Sequence, residues 1–294
     1  MGIGTEKNVL FGAAGNTGNP TASVEYLIVG RGGSAPKAGG GGGGYRTNYP
    51  SGSFAVEAGT NIVVTVGGST GADASNGVST FSTLNASRGG NVSAQIGAGS
   101  SGGSGGGGSG RSCSPGGSGN SGSYSPSEGN PGGTGAAGVP GCNANSTDGG
   151  WGGGGGAGQP GGNGGPHQGG AGGNGLSNSI TGSAITYAGG GGGFADPRYS
   201  GSATGGAGGS GGGGTGSPGG PRPGTDELGG GGGGHDAGGG SGIVIIAYVD
   251  TFDDLSSVDV GLTVNGSTGN TTPNTDRSGY KVYKFTAGTG NIKF

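Results

Sequence analysis

Uninterrupted glycine runs constrain this chain more than any other feature. The longest are Gly39–Gly44, Gly105–Gly108, Gly152–Gly156, Gly189–Gly193, Gly211–Gly214 and Gly229–Gly234, and 93 of the 294 residues are glycine. Glycine has no side chain to bury and loses the most backbone freedom on folding. Such runs are therefore either disordered spacers or backbone packed against backbone. Collagen needs glycine at every third position and abundant proline. Runs such as Gly189–Gly193 break that phase, and there are only 14 prolines. A flexible Gly/Ser linker is the simplest alternative. Three features oppose it. The chain is only 9% charged, with a net charge of -3, whereas disordered chains are usually highly charged. Two strongly β-forming segments, Val24–Val29 and Ile243–Tyr248, bracket the glycine, and neither would stay soluble as a loose edge. Short apolar islands such as Ile180–Ala188 interrupt it.

The ordered alternative is a bundle of polyglycine II helices, three residues per turn, with no internal hydrogen bonds. Their N–H and C=O groups point outward and find partners on neighbouring helices. A Cβ would hold the backbones apart, and weak Cα–H···O contacts add to the packing. A six-glycine run would span about 19 Å. The expected fold is thus mostly β with a glycine-rich core, a polyglycine II bundle sandwiched by short strands and almost no α-helix.

The chain divides by composition. Residues 1–23 read as an attachment segment. Residues 24–96 read as a β-rich base, with strands at Val24–Val29, Phe54–Val56, Ile62–Val66, Thr80–Ser82 and Val92–Ile96 separated by Gly/Asn/Ser turns. Residues 97–242 read as the bundle and its turn loops, without a fixed repeat. Residues 243–294 return to β, with strands at Ile243–Val249, Val258–Val264 and Gly279–Thr286, and Asn291–Phe294 as a last strand. Thr251–Val258 is the one place where a short helical turn is expected.

Catalytic chemistry is not evident. GxGxxG occurs many times by composition alone, and no helix is expected after any instance. There is no Gly-Lys-Ser/Thr phosphate loop. His167 and His235 sit in glycine-rich turns with no nucleophile and orienting group beside them. Cys113 and Cys142 fit no metal pattern; they either pair, stapling the long loop, or stay free. No metal, cofactor, nucleic-acid partner, membrane insertion or enzymatic activity is expected. No signal peptide is expected from the first residues.

The turns carry the residue types that dominate binding surfaces, Tyr and Arg, and functional residues concentrate on loops held by rigid scaffolds. Arg111, Tyr124, Arg198, Tyr199 and Arg222 are the receptor-binding candidates. Trp151 and Phe194 abut glycine runs and are expected to cap the scaffold.

The order of these pieces resembles a glycine-rich domain at the ends of tail fibres of marine and cyanobacterial phages. The features that carry the resemblance are Val24–Val29 followed by glycine, Gly43-Gly44-Tyr45-Arg46-Thr47, Ile62–Gly67, Gly175–Gly182 with Tyr187-Ala188-Gly189, and Gly239–Ile246. The segment Ser278–Thr286 resembles the strand that opens such units in longer fibres. In architecture the chain is also similar to the adhesins that cap T-even-type tail fibres. The resemblance implies a non-enzymatic virion protein made in the host cytoplasm, a tail-fibre tip or adhesin. Its implied partners are other tail or fibre proteins and a host-surface receptor, protein or polysaccharide, with homo-oligomerisation left open. The alternatives are a purely structural fibre or appendage subunit and, from another class, a secreted ice-binding polyglycine protein, which would need a flat, regular Thr/Ala face.

Overall fold

The computed structural model describes residues 23–68, 77–92, 96–136, 149–196, 203–217 and 219–294. Among them there is no helix. The strands are β1 (Ser23–Val29), β2 (Tyr45–Thr47), β3 (Phe54–Ala55), β4 (Asn61–Thr65), β5 (Ser79–Phe81), β6 (Leu84–Ala86), β7 (Leu176–Asn178), β8 (Ile185–Tyr187), β9 (Ile243–Val249), β10 (Ser257–Val258), β11 (Leu262–Val264), β12 (Ser267–Thr268) and β13 (Tyr280–Lys293). β7 and β8 form a separate hairpin, and the rest form one sheet with the main path β2-β1-β9-β13-β4-β5-β6. All its pairings are antiparallel. The sheet is nearly closed. Its two end strands meet where Arg46 donates to the Asn85 carbonyl at 2.9 Å and Gly44 N–H to the Ser87 carbonyl at 2.7 Å.

The two apolar segments that bracket the glycine are direct neighbours, Leu27 opposite Ile245 and Val29 opposite Ile243. Their alternate residues serve opposite faces. Val24, Ile28, Val244, Ile246 and Tyr248 join Phe81, Leu262, Tyr283 and Phe285 in one core. Leu27, Val29, Ile243, Ile245 and Ala247 face a second core, covered by Ile180 and Tyr187 of the hairpin. Because β9 is buried on both faces, its sequence is almost continuously apolar.

The C-terminal segment threads into the same sheet. Gly279–Thr286 and Asn291–Phe294, expected as two strands, merge into one strand of 14 residues, Tyr280–Lys293, that leaves out only Gly279 and Phe294 at their outer ends. Its first half pairs with β9 and its second with β4. Between them Gly288 has φ +94°, a conformation that L side chains avoid, and there the strand changes partners. Two further expectations are corrected. Thr251–Val258 forms no helical turn: a bend at Asp250–Phe252 is tied down by the Tyr248 hydroxyl on the Asp253 carbonyl and the Lys281–Asp254 ion pair at 2.6 Å. Val258–Val264 is not one strand but two short ones, β10 and β11, because Asp259 accepts from the Leu262 N–H and turns the chain between them. Of Val92–Ile96, Val92 makes only an isolated bridge with Gly99, and residues 93–95 lie outside the described residues.

Glycine segments continue directly from β1 and β6 and lead directly into β2 and β9. Their hydrogen bonds repeat every third residue. Gly39 and Gly42 donate to Gly152 and Gly155, Gly40 and Gly43 to Gly232 and Gly229, and Gly41 and Gly44 to Gly90 and Ser87. Gly190 and Gly193 donate to Gly173 and Gly170, Gly191 and Phe194 to Gly40 and Lys37, and Gly189 and Gly192 to Gly211 and Gly214. Each inner segment thus donates to three neighbours in rotation, some parallel and some antiparallel, and its carbonyls accept from three others. Side chains are excluded by distance. A Cβ on Gly39, Gly40 or Gly191 would lie 1.8, 2.1 and 1.9 Å from the carbonyl oxygens of Gly191, Gly33 and Gly232. Within the bundle, hydrogen bonds between backbones take the place of an apolar core and pair most of the buried peptide groups, as buried backbone requires.

Candidate functional sites at the two ends of the glycine bundle

The candidate residues separate into two places. Far from the sheet, where the segments turn, a small third core holds Ala38, Val92, Trp151 and Phe194. Trp151 and Phe194 are buried, with ring centroids 5.6 Å apart. His235 packs on Phe194 at 5.6 Å, and Lys37 Nζ sits 4.7 Å above the same ring. His235 (φ 105°) and Asp236 (φ 58°) turn the chain there in conformations unusual for non-glycine residues. Arg222 is exposed in an isolated bridge with Gly233, and Arg111 is half-buried in a turn beside Ser109. Arg198 and Tyr199 lie outside the described residues, as do Cys142 and nearly all of the attachment segment 1–23. Cys113 is disulfide-bonded.

Tyr124 is elsewhere, beside the sheet. The Arg46 guanidinium stacks over its ring at 3.9 Å. The loop that carries it is fastened from within. Asn120 accepts from Tyr124 N–H at 3.0 Å and donates to the Tyr124 carbonyl at 3.0 Å. Glu128 is fully buried, and its carboxylate accepts from the Ser87 amide at 2.9 Å and the Gly122 amide at 3.2 Å. Its own carbonyl accepts from Tyr45 N–H at 2.9 Å. Glu128 thereby ties the loop across the gap between β2 and β6. Tyr45 is buried as well; burial pushes its phenol above the usual range, against a hydrogen bond donated by Asn178 at 2.8 Å. Between loop and sheet lies a groove of about 160 Å³ lined by Tyr26, Tyr45, Arg46, Thr47, Ser125, Pro126, Ser127 and Leu176.

The structure therefore brings Arg111 and Arg222 to one end and leaves Tyr124 at the other. Sequence reasoning passed over Glu128 and Asn120. One signal was present: Glu128 is the only charged residue between Arg111 and Asp148. A lone acid in a long neutral stretch is a candidate for a structural carboxylate. Among the described residues no cluster of three or more His, Cys, Asp or Glu could hold a metal ion, and no helix is long and apolar enough to cross a membrane.

A sheet base whose strands run on into close-packed glycine segments defines a glycine-scaffold protein. A family model described as a glycine-rich domain matches residues 11–249, and the chain belongs to that family. No curated protein and no solved structure matches it.

Proposed function

We propose that this chain is a phage tail-fibre tip protein or adhesin, in which the sheet supports a rigid glycine bundle and the turns make contact with the host surface. We read the bundle as polyglycine II helices, from the three-residue period of its hydrogen bonds. The observation that carries the proposal is the placement of side chains. Inner glycine segments use their peptide groups on one another and offer nothing to a ligand, whereas Arg111, Arg222 and Tyr124 stand on the turns at the two ends. A rigid frame lowers the ordering cost of binding. The resemblance to phage fibre domains supplies the biological setting: a virion protein with tail or fibre partners and a protein or polysaccharide receptor.

A structural fibre subunit with no receptor role is the second reading. An ice-binding role has one observation in its favour. Gln168, Ala171 and Asn174 and, on the adjacent parallel segment, Thr204, Ala207 and Ser210 are exposed at three-residue spacing. Their chemistry does not repeat, so they form no uniform Thr/Ala face.

Alanine at Arg222, at Tyr124 and at the pair Arg198 and Tyr199 tests the proposal in particles that still assemble. Loss of one anchoring residue costs about 2 kcal/mol, roughly a thirtyfold fall in adsorption. Unchanged adsorption in all three, with particle incorporation abolished by removing residues 1–22, would establish the structural reading instead.

A further inference from the structure

We propose that the sheet-end groove is a binding site for a carboxylate-bearing sugar unit, with Arg46 as the carboxylate-binding group. Among the described residues that line the groove, Arg46 alone is charged. Its side chain makes a single hydrogen bond among the described residues, to the Asn85 carbonyl at 2.9 Å, and its flat face rests on Tyr124. The other guanidinium N–H groups have no acceptor among the described residues, and no carboxylate pairs with them. An arginine already pinned by a carbonyl and an aromatic ring loses little further freedom when it grips an anion, and its fork matches a carboxylate.

The rest of the lining selects the remainder of the ligand. Pro126 and Leu176, which is 39% exposed, offer apolar surface. The Ser125 hydroxyl has no hydrogen-bond partner among the described residues and can meet a sugar hydroxyl. Thr47 and Ser127 use theirs within the fold, on the Tyr26 and Gly129 carbonyls. A wholly apolar ligand would leave Arg46 unmatched, and a bare carboxylate would leave the apolar wall uncovered. The volume lies below the roughly 300 Å³ at which pockets for drug-sized ligands begin, so it suits one small ring of a longer chain. Glu128 does not oppose an anion there, since it is not among the lining residues and its carboxylate is taken up by two amides. The receptor role of this groove rests on the adhesin reading, whereas the binding site stands on its own geometry.

The full chain is titrated with sodium glucuronate at constant ionic strength, with glucose and sodium acetate as controls, and followed by amide chemical shifts. Saturable shifts at Arg46, Thr47, Ser125 and Ser127 are expected with glucuronate, at least about tenfold weaker with either control and in Arg46→Gln. Should Arg46→Gln fail to fold, Arg46→Lys, which keeps the charge and loses the fork, carries the same expected direction. No saturable shift with glucuronate, an equal response to glucose or acetate, or indifference to the arginine substitution overturns the proposal. Because binding is read on the isolated protein, its failure leaves the adhesin reading standing. Binding without any adsorption defect in Arg46→Gln particles would keep the groove and remove its receptor role.

Discussion

A single β-carbon is what the interior of this protein cannot accommodate. At Gly191 the nearest carbonyl oxygen, of Gly232, lies 1.9 Å from where a Cβ would stand, and it belongs to backbone that is itself hydrogen-bonded on other sides. Gly191→Val is expected to destabilise by about 3 kcal/mol or more, at or beyond the upper end of ordinary overpacking. Gly238 has open space at the same point, so Gly238→Ala is expected to change stability by less than about 0.5 kcal/mol. Urea midpoints for the two variants make the comparison, and equal midpoints would count against backbone packing. Tyr187 makes part of the stability depend on pH. Burial first, then the neighbouring Tyr45 and Glu227, push its phenol up from 10.0 to about 12. The unfolded chain therefore loses this proton at lower pH than the folded one. The associated stability is fully present below pH 10 and is lost as pH rises through about 12. The loss amounts to about 2–3 kcal/mol. Denaturation across that window should show it, and Tyr187→Phe should show a correspondingly flatter profile.

Among the elements, β9 is the one most exposed to test. Ile245 is fully buried and faces the core shared with Leu27, Ile180 and Tyr187. An unpaired charge there is heavily penalised, and Ile245→Lys is expected to aggregate or fail to fold; a soluble, cooperatively melting variant would contradict the sheet pairing. β1, β4 and β9 were legible because apolar, β-branched runs of five to seven residues leave few alternatives. The divide at Asp259 was not, since valines in alternation look the same whether a strand continues or turns. The continuity of β13 was hidden for the opposite reason: Gly288-Thr289-Gly290 reads as a turn, yet the bend it makes is absorbed inside a paired strand. β2 and β6 are three residues each, too short for periodicity to register, and they are held by the seam contacts of Arg46 and Glu128.

For the whole molecule, the glycine runs announced close backbone packing but not which run neighbours which. Every run has the same composition, and their order in the bundle is set by turns and by the strands they continue. That is why Tyr124 could not be told from Arg111 and Arg222 in the sequence, although it lies at the other end. It is also why the groove beside Arg46 emerged only with the fold. The glycine region is held by its own peptide groups. Amide hydrogen exchange across residues 150–242 tests this most directly. In the inner run Gly189–Gly193 every N–H has a backbone acceptor, and all five are expected to be protected together. On the outer segments the exposed Ala171 and Ala207 N–H groups have no acceptor among the described residues and should exchange fast, with protected glycines at 170, 172, 206 and 209 around them. Exchange at random-coil rates throughout 150–242 would contradict an ordered bundle.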